Sequence, residues 1–230
     1  MSDLFSWKRV LSTTLFRELA AAISGLVLVL FIFGHLAGNF LIFLGPDTFN
    51  GYAEHLQSLG PLLWLARVII LASAVTHIGA TISLKLRNRA ARDVAYTVSR
   101  RNAARPLGTP TMIYTGIIIA CFVVLHINDF TLADKTGPRS IIHGESLGLY
   151  GVVLNGFSNP VRSIAYIVAV WAVGLHFSHL FSSLWVTMGV LSDRATRVMN
   201  RVALAVGVLV ALGFTTIPVF ALIKTRLLGG

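Results

Sequence analysis

The stretch "SIAYIVAVWAVGLHFSHLFSS", Ser163–Ser183, carries no acidic or basic side chain, yet it holds two histidines, His176 and His179. The uncharged run continues to Ser192. A bilayer core of about 30 Å takes about 20 apolar residues at 1.5 Å each, so the run is long enough for one membrane-spanning helix. Four further uncharged windows have the same capacity: Leu19–Pro46, Val68–Leu84, Pro106–Asn128 and Val202–Ile223. The second is the shortest and extends outward through "PLLWLAR", with Arg67 snorkelling toward the surface. The expected fold is an all-α integral membrane protein, a single membrane domain over residues 1–230 with five transmembrane helices. The spans are placed at about 19–44, 62–86, 109–128, 160–190 and 200–223, after a cytoplasmic amphipathic segment over 1–18.

Composition agrees with that reading. The chain of 230 residues is 55% hydrophobic and only 12% charged, against about 25% charged in soluble domains, and its mean hydropathy is +0.77. A formal charge of +10 raises the possibility of nucleic acid, but the positions of the cations account for it. Thirteen of the nineteen Lys and Arg residues fall before the first span, between the second and third, or between the fourth and fifth. Positive charge concentrates on the cytoplasmic side of membrane proteins. The N-terminus is therefore expected in the cytoplasm and the C-terminus outside, in a cell membrane. The first span is too long for a cleavable signal. A single cysteine, Cys121, excludes an internal disulfide and a multi-cysteine metal site. "GPDTFNGY", Gly45–Tyr52, reads as turn chemistry. Thr109–Pro110 and Asn159–Pro160 read as helix starts, and Pro218 as a kink or end of the last helix.

Five of the seven histidines lie in the spans: His35, His77, His126, His176 and His179. Polar groups at membrane depth are costly and usually functional. Helices one and three run outward, which puts His35 and His126 about 22–24 Å from the inner edge. Helices two and four run inward, which puts His77 and His176 about 23 Å from the outer edge. Two imidazole pairs at two depths suit two six-coordinate haems, each iron held from opposite faces, in a haem-binding bundle. Small residues near the ligands, Gly34, Gly38, Gly79, Ala80 and Gly174, could make room for the rings. Zinc is less suited, because no carboxylate or cysteine cluster completes a tetrahedral shell. A haem-free transporter with a histidine proton relay stays open, although the spans contain almost no Asp or Glu.

Five segments carry a family resemblance: "FGHLAGNFLIFLGPDTFNGYAEHL" (Phe33–Leu56), "VTHIGATISLKLR" (Val75–Arg87), "TMIYTGIIIACFVVLHINDF" (Thr111–Phe130), "NPVRSIAYIVAVWAVGLHFSHLFSSLWVTMG" (Asn159–Gly189) and "GFTTIPVF" (Gly213–Phe220). In that order they resemble the five-helix dihaem cytochrome b membrane anchor of succinate:quinone oxidoreductase and fumarate reductase, respiratory complex II of type B. The resemblance implies two haem b groups, with His77 and His176 on the proximal haem and His35 and His126 on the distal one. It makes His176 the iron ligand and leaves His179 to contact a propionate or quinone; Leu180 stands where the family usually carries glycine. It also implies a flavoprotein and an iron–sulfur subunit as partners on the cytoplasmic side, where succinate chemistry takes place. A b-type anchor of a hydrogenase or formate dehydrogenase is the alternative within the same chemistry.

A quinone, menaquinone by the same resemblance, needs a donor or acid near each carbonyl and an apolar slot for its ring and tail. Candidates near the outer haem are Asn39, Glu54 and Asp129, with Glu54 preferred as the proton partner. Candidates near the inner haem are Ser24, His179 and Trp185. The basic stretch Lys85–Arg105 is expected to face the soluble partner or anionic lipid headgroups.

Overall fold

The computed structural model describes residues 13–90, 111–178 and 192–228. Helix α1 spans Thr14–Phe40, and Thr13 caps it by accepting from the Phe16 amide at 3.2 Å. It starts five residues ahead of the first uncharged window, taking Arg17 and Glu18 into the helix. A 3₁₀ turn, Leu41–Leu44, carries it to Gly45, whose φ of 101° stops the run. A side chain with a Cβ rarely adopts that angle.

The next segment departs from expectation. The stretch read as a turn opens a second helix, α2, over Pro46–Ser58. Proline in the first turn and aspartate beside it mark a helix start as readily as a turn, because the first amides have no intrahelical acceptors to lose. Gly60, at φ 53°, separates α2 from α3, Pro61–Ala90. Helix α4 spans Met112–His126 and widens into a π turn over Ile127–Thr131. A two-residue hairpin follows, β1 Ile141–Ile142 against β2 Glu145–Ser146, turning through His143 and Gly144; it is the one addition to an otherwise helical fold among the described residues. Helix α5 covers Gly148–Ser158. Helix α6 covers Pro160–Phe177, with Asn159 Oδ1 accepting from the Val161 and Arg162 amides. Helix α7 covers Asp193–Leu228 and is longer at both ends than its uncharged window. Pro218 lies inside α7 and does not end it.

Five helices are long and apolar enough to cross a membrane: α1 with its 3₁₀ extension, α3, α4 with its π turn, α6 and α7. Helix α3 buries none of its residues, so its exposed Leu62, Leu65, Val68, Leu71 and Val75 suit an apolar surrounding rather than water. Helix α1 packs along α3, α6 packs along α7, and α4 packs on α6. The bundle is thus built from an α1–α3 half and an α4–α6–α7 half, which meet where α7 Gly213 faces Leu36 and Phe40 of α1.

A cap closes one end. Ile42, Phe49, Tyr150, Val153, Leu154, Phe157, Tyr166, Ile217 and Ala221 form a buried apolar core shared by the 3₁₀ turn, α2, α5, α6 and α7. Asn50 of α2 ties it together, donating to the Leu147 carbonyl at 2.9 Å and accepting from the Tyr150 amide at 3.0 Å. One side chain thereby caps the first turn of a helix nearly a hundred residues away.

Gly174 of α6 and Gly207 of α7 lie against each other so closely that a Cβ on either would fall on the other's carbonyl oxygen. Small residues let membrane helices approach to backbone contact. Gly207→Val should therefore split this pair at a cost of about 1–3 kcal/mol, read as a lower thermal midpoint of the purified chain in detergent. Gly34→Ala, where a Cβ meets nothing within 4 Å, should leave that midpoint unchanged.

Candidate functional site

The two halves of the bundle face each other through histidines. His35 of α1 and His126 of α4 have ring centroids 5.5 Å apart and planes at 88°. His77 of α3 and His176 of α6 lie 6.4 Å apart at 70°. These are the pairs that the depth count puts together. His35 and His126 stand beside the capped end; His77 and His176 stand toward the other. Along α4, Thr115, which touches His176, and His126 are eleven residues apart, so the two levels are separated by about 16 Å.

At the level away from the cap, each ring is held by the helix packed behind it. His77 Nδ1 lies 2.9 Å from the Ala21 carbonyl of α1. A carbonyl only accepts, so Nδ1 carries the proton and the lone pair of the neutral ring is on Nε2. Gly25, one turn on, is buried against the same ring: a Cβ there would sit 3.1 Å from His77 Cε1 and Nδ1. His176 Nδ1 lies 3.0 Å from Thr115 Oγ1 of α4. Neither Gly25 nor Thr115 carries a mark in the sequence, because the contact is made by a missing side chain in one case and by one of many span threonines in the other.

Beside the cap the surroundings are aromatic. His35 stacks on Phe31 at 5.2 Å and lies 5.9 Å from Phe214. Asn39 donates to the His35 carbonyl at 2.7 Å. His126 is ringed by Phe122, Phe130 and Tyr166 at 5.6–6.2 Å, and its Nδ1 is buried without a hydrogen-bond partner. Next to it lies a buried acid. Asp129, only 1% exposed, accepts from the Tyr166 hydroxyl at 2.9 Å and pairs with Arg162 at 3.3 Å. Arg162 opens α6 and Tyr166 follows one turn later, so a single helix face supplies both partners. The π turn gives Asp129 its inward direction, and such widened turns recur at functional sites.

Two in-line bonds of about 2 Å through one metal set imidazole centroids about 6 Å apart. The His77–His176 pair meets that span, and the Ala21 carbonyl at His77 Nδ1 leaves the lone pair of that ring on Nε2. The His35–His126 pair falls a little short of it. Among the described residues no group of three or more His, Cys, Asp or Glu gathers to hold a metal ion. Each pair is thus two imidazoles facing each other, with no third such side chain gathered beside them among the described residues.

The other expected residues are distributed unevenly. Glu54 is exposed on α2, whereas Asp129 is the acid beside the His126 ring. Ser24 is buried and donates to the Ala20 carbonyl at 2.5 Å. His179 and Trp185 lie outside the described residues, as does most of Lys85–Arg105. The glycines also divide. Gly34 and Gly79 have no neighbour that a Cβ would meet, but Gly38 packs on Tyr52 and Gly174 on Gly207. The last two are helix-packing positions, contrary to the expectation that they make room for a ring. Comparison of the chain with known protein-family models, curated proteins and solved structures finds no match.

Removing Arg162 would leave the Asp129 carboxylate buried with a single donor. Arg162→Ala should destabilise the chain by about 1–2 kcal/mol, less than a fully buried pair because the guanidinium is partly in water. Thermal unfolding of the variant beside Arg162→Lys measures this, and the lysine should recover part of the loss.

Proposed function

We propose that this chain is the dihaem membrane anchor of a succinate:quinone oxidoreductase or fumarate reductase. It would conduct electrons between an iron–sulfur subunit on the cytoplasmic side and quinone in the membrane. The observation that carries the reading is the facing of four histidines, from four different helices, as two isolated pairs at two levels of a membrane-type bundle. A b-type haem bound by two imidazoles supplies one-electron transfer at its iron. His77 and His176 would hold the inner group, and His35 and His126 the outer one. Ala21 and Gly25 orient and seat the His77 ring, and the aromatic shell of His126 keeps water away. Flavin and succinate chemistry belong to partner subunits docked at the basic cytoplasmic face, in the cell membrane of a prokaryote.

For the quinone, menaquinone by the resemblance, geometry favours Asp129 over Glu54. A proton partner must reach the ligand and also exchange with water. Asp129 lies beside the outer histidines and is joined to the surface by Arg162, whose side chain is 37% exposed. Asp129 would take the quinol proton, with Tyr166 donating to its carboxylate and Arg162 pairing with it. In the assembled complex, Asp129→Asn should lower quinone-coupled turnover at least tenfold, the lower range for loss of a general base. Dye-linked succinate oxidation should persist, and Glu54→Gln should keep both activities. The reverse pattern would return the role to Glu54.

The haem content decides the main reading. A pyridine haemochrome assay on the purified chain should give two b haems. His77→Ala and His176→Ala should each remove one spectral component, and His35→Ala and His126→Ala the other. Gly25→Val should mimic the first two by displacing the His77 ring. A ratio of zero would leave the proton-relay transporter standing. Hydrogenase or formate dehydrogenase subunits co-purifying in place of a succinate-oxidising flavoprotein would reassign the anchor.

A further inference from the structure

We infer that Thr115 is a positioning residue for His176, holding its ring in the tautomer and orientation that iron ligation requires. The inference rests on the reading of the His77–His176 pair as haem ligands and assigns a residue which that reading does not include. Thr115 is buried in α4, 4% exposed, and its Oγ1 lies 3.0 Å from His176 Nδ1. The same oxygen lies 3.1 Å from both the Thr111 and Met112 carbonyls of its own helix. A hydroxyl has one proton. Given to either carbonyl, that proton leaves the oxygen lone pairs free to accept. In that arrangement the bond runs from His176 Nδ1–H to Thr115 Oγ1, and the lone pair of the ring is on Nε2.

The arrangement repeats across the pair with a different acceptor. His77 gives its Nδ1 proton to the Ala21 carbonyl, an acceptor that no side-chain substitution removes. Thr115 is thus the half of the bracing that mutation can reach. Gly116 follows it, and a Cβ there would come to 3.9 Å from His176 Cε1, so α4 backs the ring closely at this point. An acceptor on the far nitrogen fixes the tautomer and raises the basicity of the ligating one. A more basic imidazole stabilises the ferric state, so loss of the acceptor raises the midpoint potential of that haem.

The test is a redox titration of the purified complex, with the inner component identified as the one absent from His77→Ala. Thr115→Val, nearly equal in volume, should raise the inner midpoint potential and weaken inner haem retention about 10–100-fold. The outer component should keep its potential. Thr115→Ser, which keeps the hydroxyl, should titrate as the wild type. If the valine chain does not accumulate, Thr115→Ala against Thr115→Ser makes the same comparison at nearly matched volume. An unshifted inner potential in the valine or alanine chain overturns the assignment, and so does a serine chain that shifts as far as either. Absence of haem from the wild-type complex would instead defeat the reading on which the inference stands.

Discussion

An imidazole inside an apolar bundle is least costly when its one N–H is given to an acceptor, and the arrangement around His77 and His176 follows from the groups set beside their Nδ1 atoms. Leaving such a donor unpaired away from water costs about 1–3 kcal/mol. His77 meets the requirement through the Ala21 carbonyl of α1, and His176 Nδ1 lies within hydrogen-bond distance of Thr115 of α4. Each bond runs within a half-bundle, from a helix to the neighbour packed behind it. The opposite edges of the two rings are then turned toward the other half. The helices that back the His77–His176 pair are the ones that carry the other pair, His35 on α1 and His126 on α4. Two helices thus serve both levels, and a shift of either moves a ring at one level and a ring contact at the other.

The ends of the bundle are built differently. The apolar core of α2, α5 and the ends of α1, α6 and α7 lies at one end, and the only buried acid among the described residues lies beneath it. Asp129 is affordable there because Tyr166 and Arg162 supply both a hydrogen bond and a countercharge. Burial alone would drive a carboxyl to neutrality. Beside the His77–His176 pair stand a carbonyl, a hydroxyl and a glycine.

Much of this was legible in the sequence, and the parts that were not share a cause. The spans follow from uncharged windows, because hydrocarbon tolerates few ions whatever the tertiary fold. The histidine pairing follows from counting residues along helices of fixed rise. Gly45–Tyr52 reads as a turn although Pro46–Ser58 is a helix, since Gly45, Pro46 and Asp47 serve equally as a turn and as a helix start; the deciding partner, the Tyr150 region, is far along the chain. Glu54 and Asp129 look alike in sequence, both acids beyond an outward helix, and only the fold of α6 over the π turn buries one of them. Gly174 and Gly38 were assigned to ring clearance because a glycine records that something is close without recording what. Ala21 contributes through its carbonyl, which every residue possesses.

What passes between the two levels is constrained by what lines the gap. From Leu26 to Gly34 on α1, from Gly116 to Leu125 on α4 and from Ile167 to Leu175 on α6 the side chains are apolar apart from Trp171, which donates only, and Cys121, a weak thiol, whereas α3 carries Ser73 one turn from His77. A relay across about 16 Å would need several polar groups or ordered waters within hydrogen-bonding reach, and apolar walls do not hold water. Electrons have no such requirement, since transfer between metal centres needs proximity and a rigid medium rather than a chain of donors. Imidazoles serving protons would be expected to continue into one another through polar neighbours. Imidazoles serving electrons can be isolated in pairs, and the buried acid Asp129 lies at one level only, paired with Arg162.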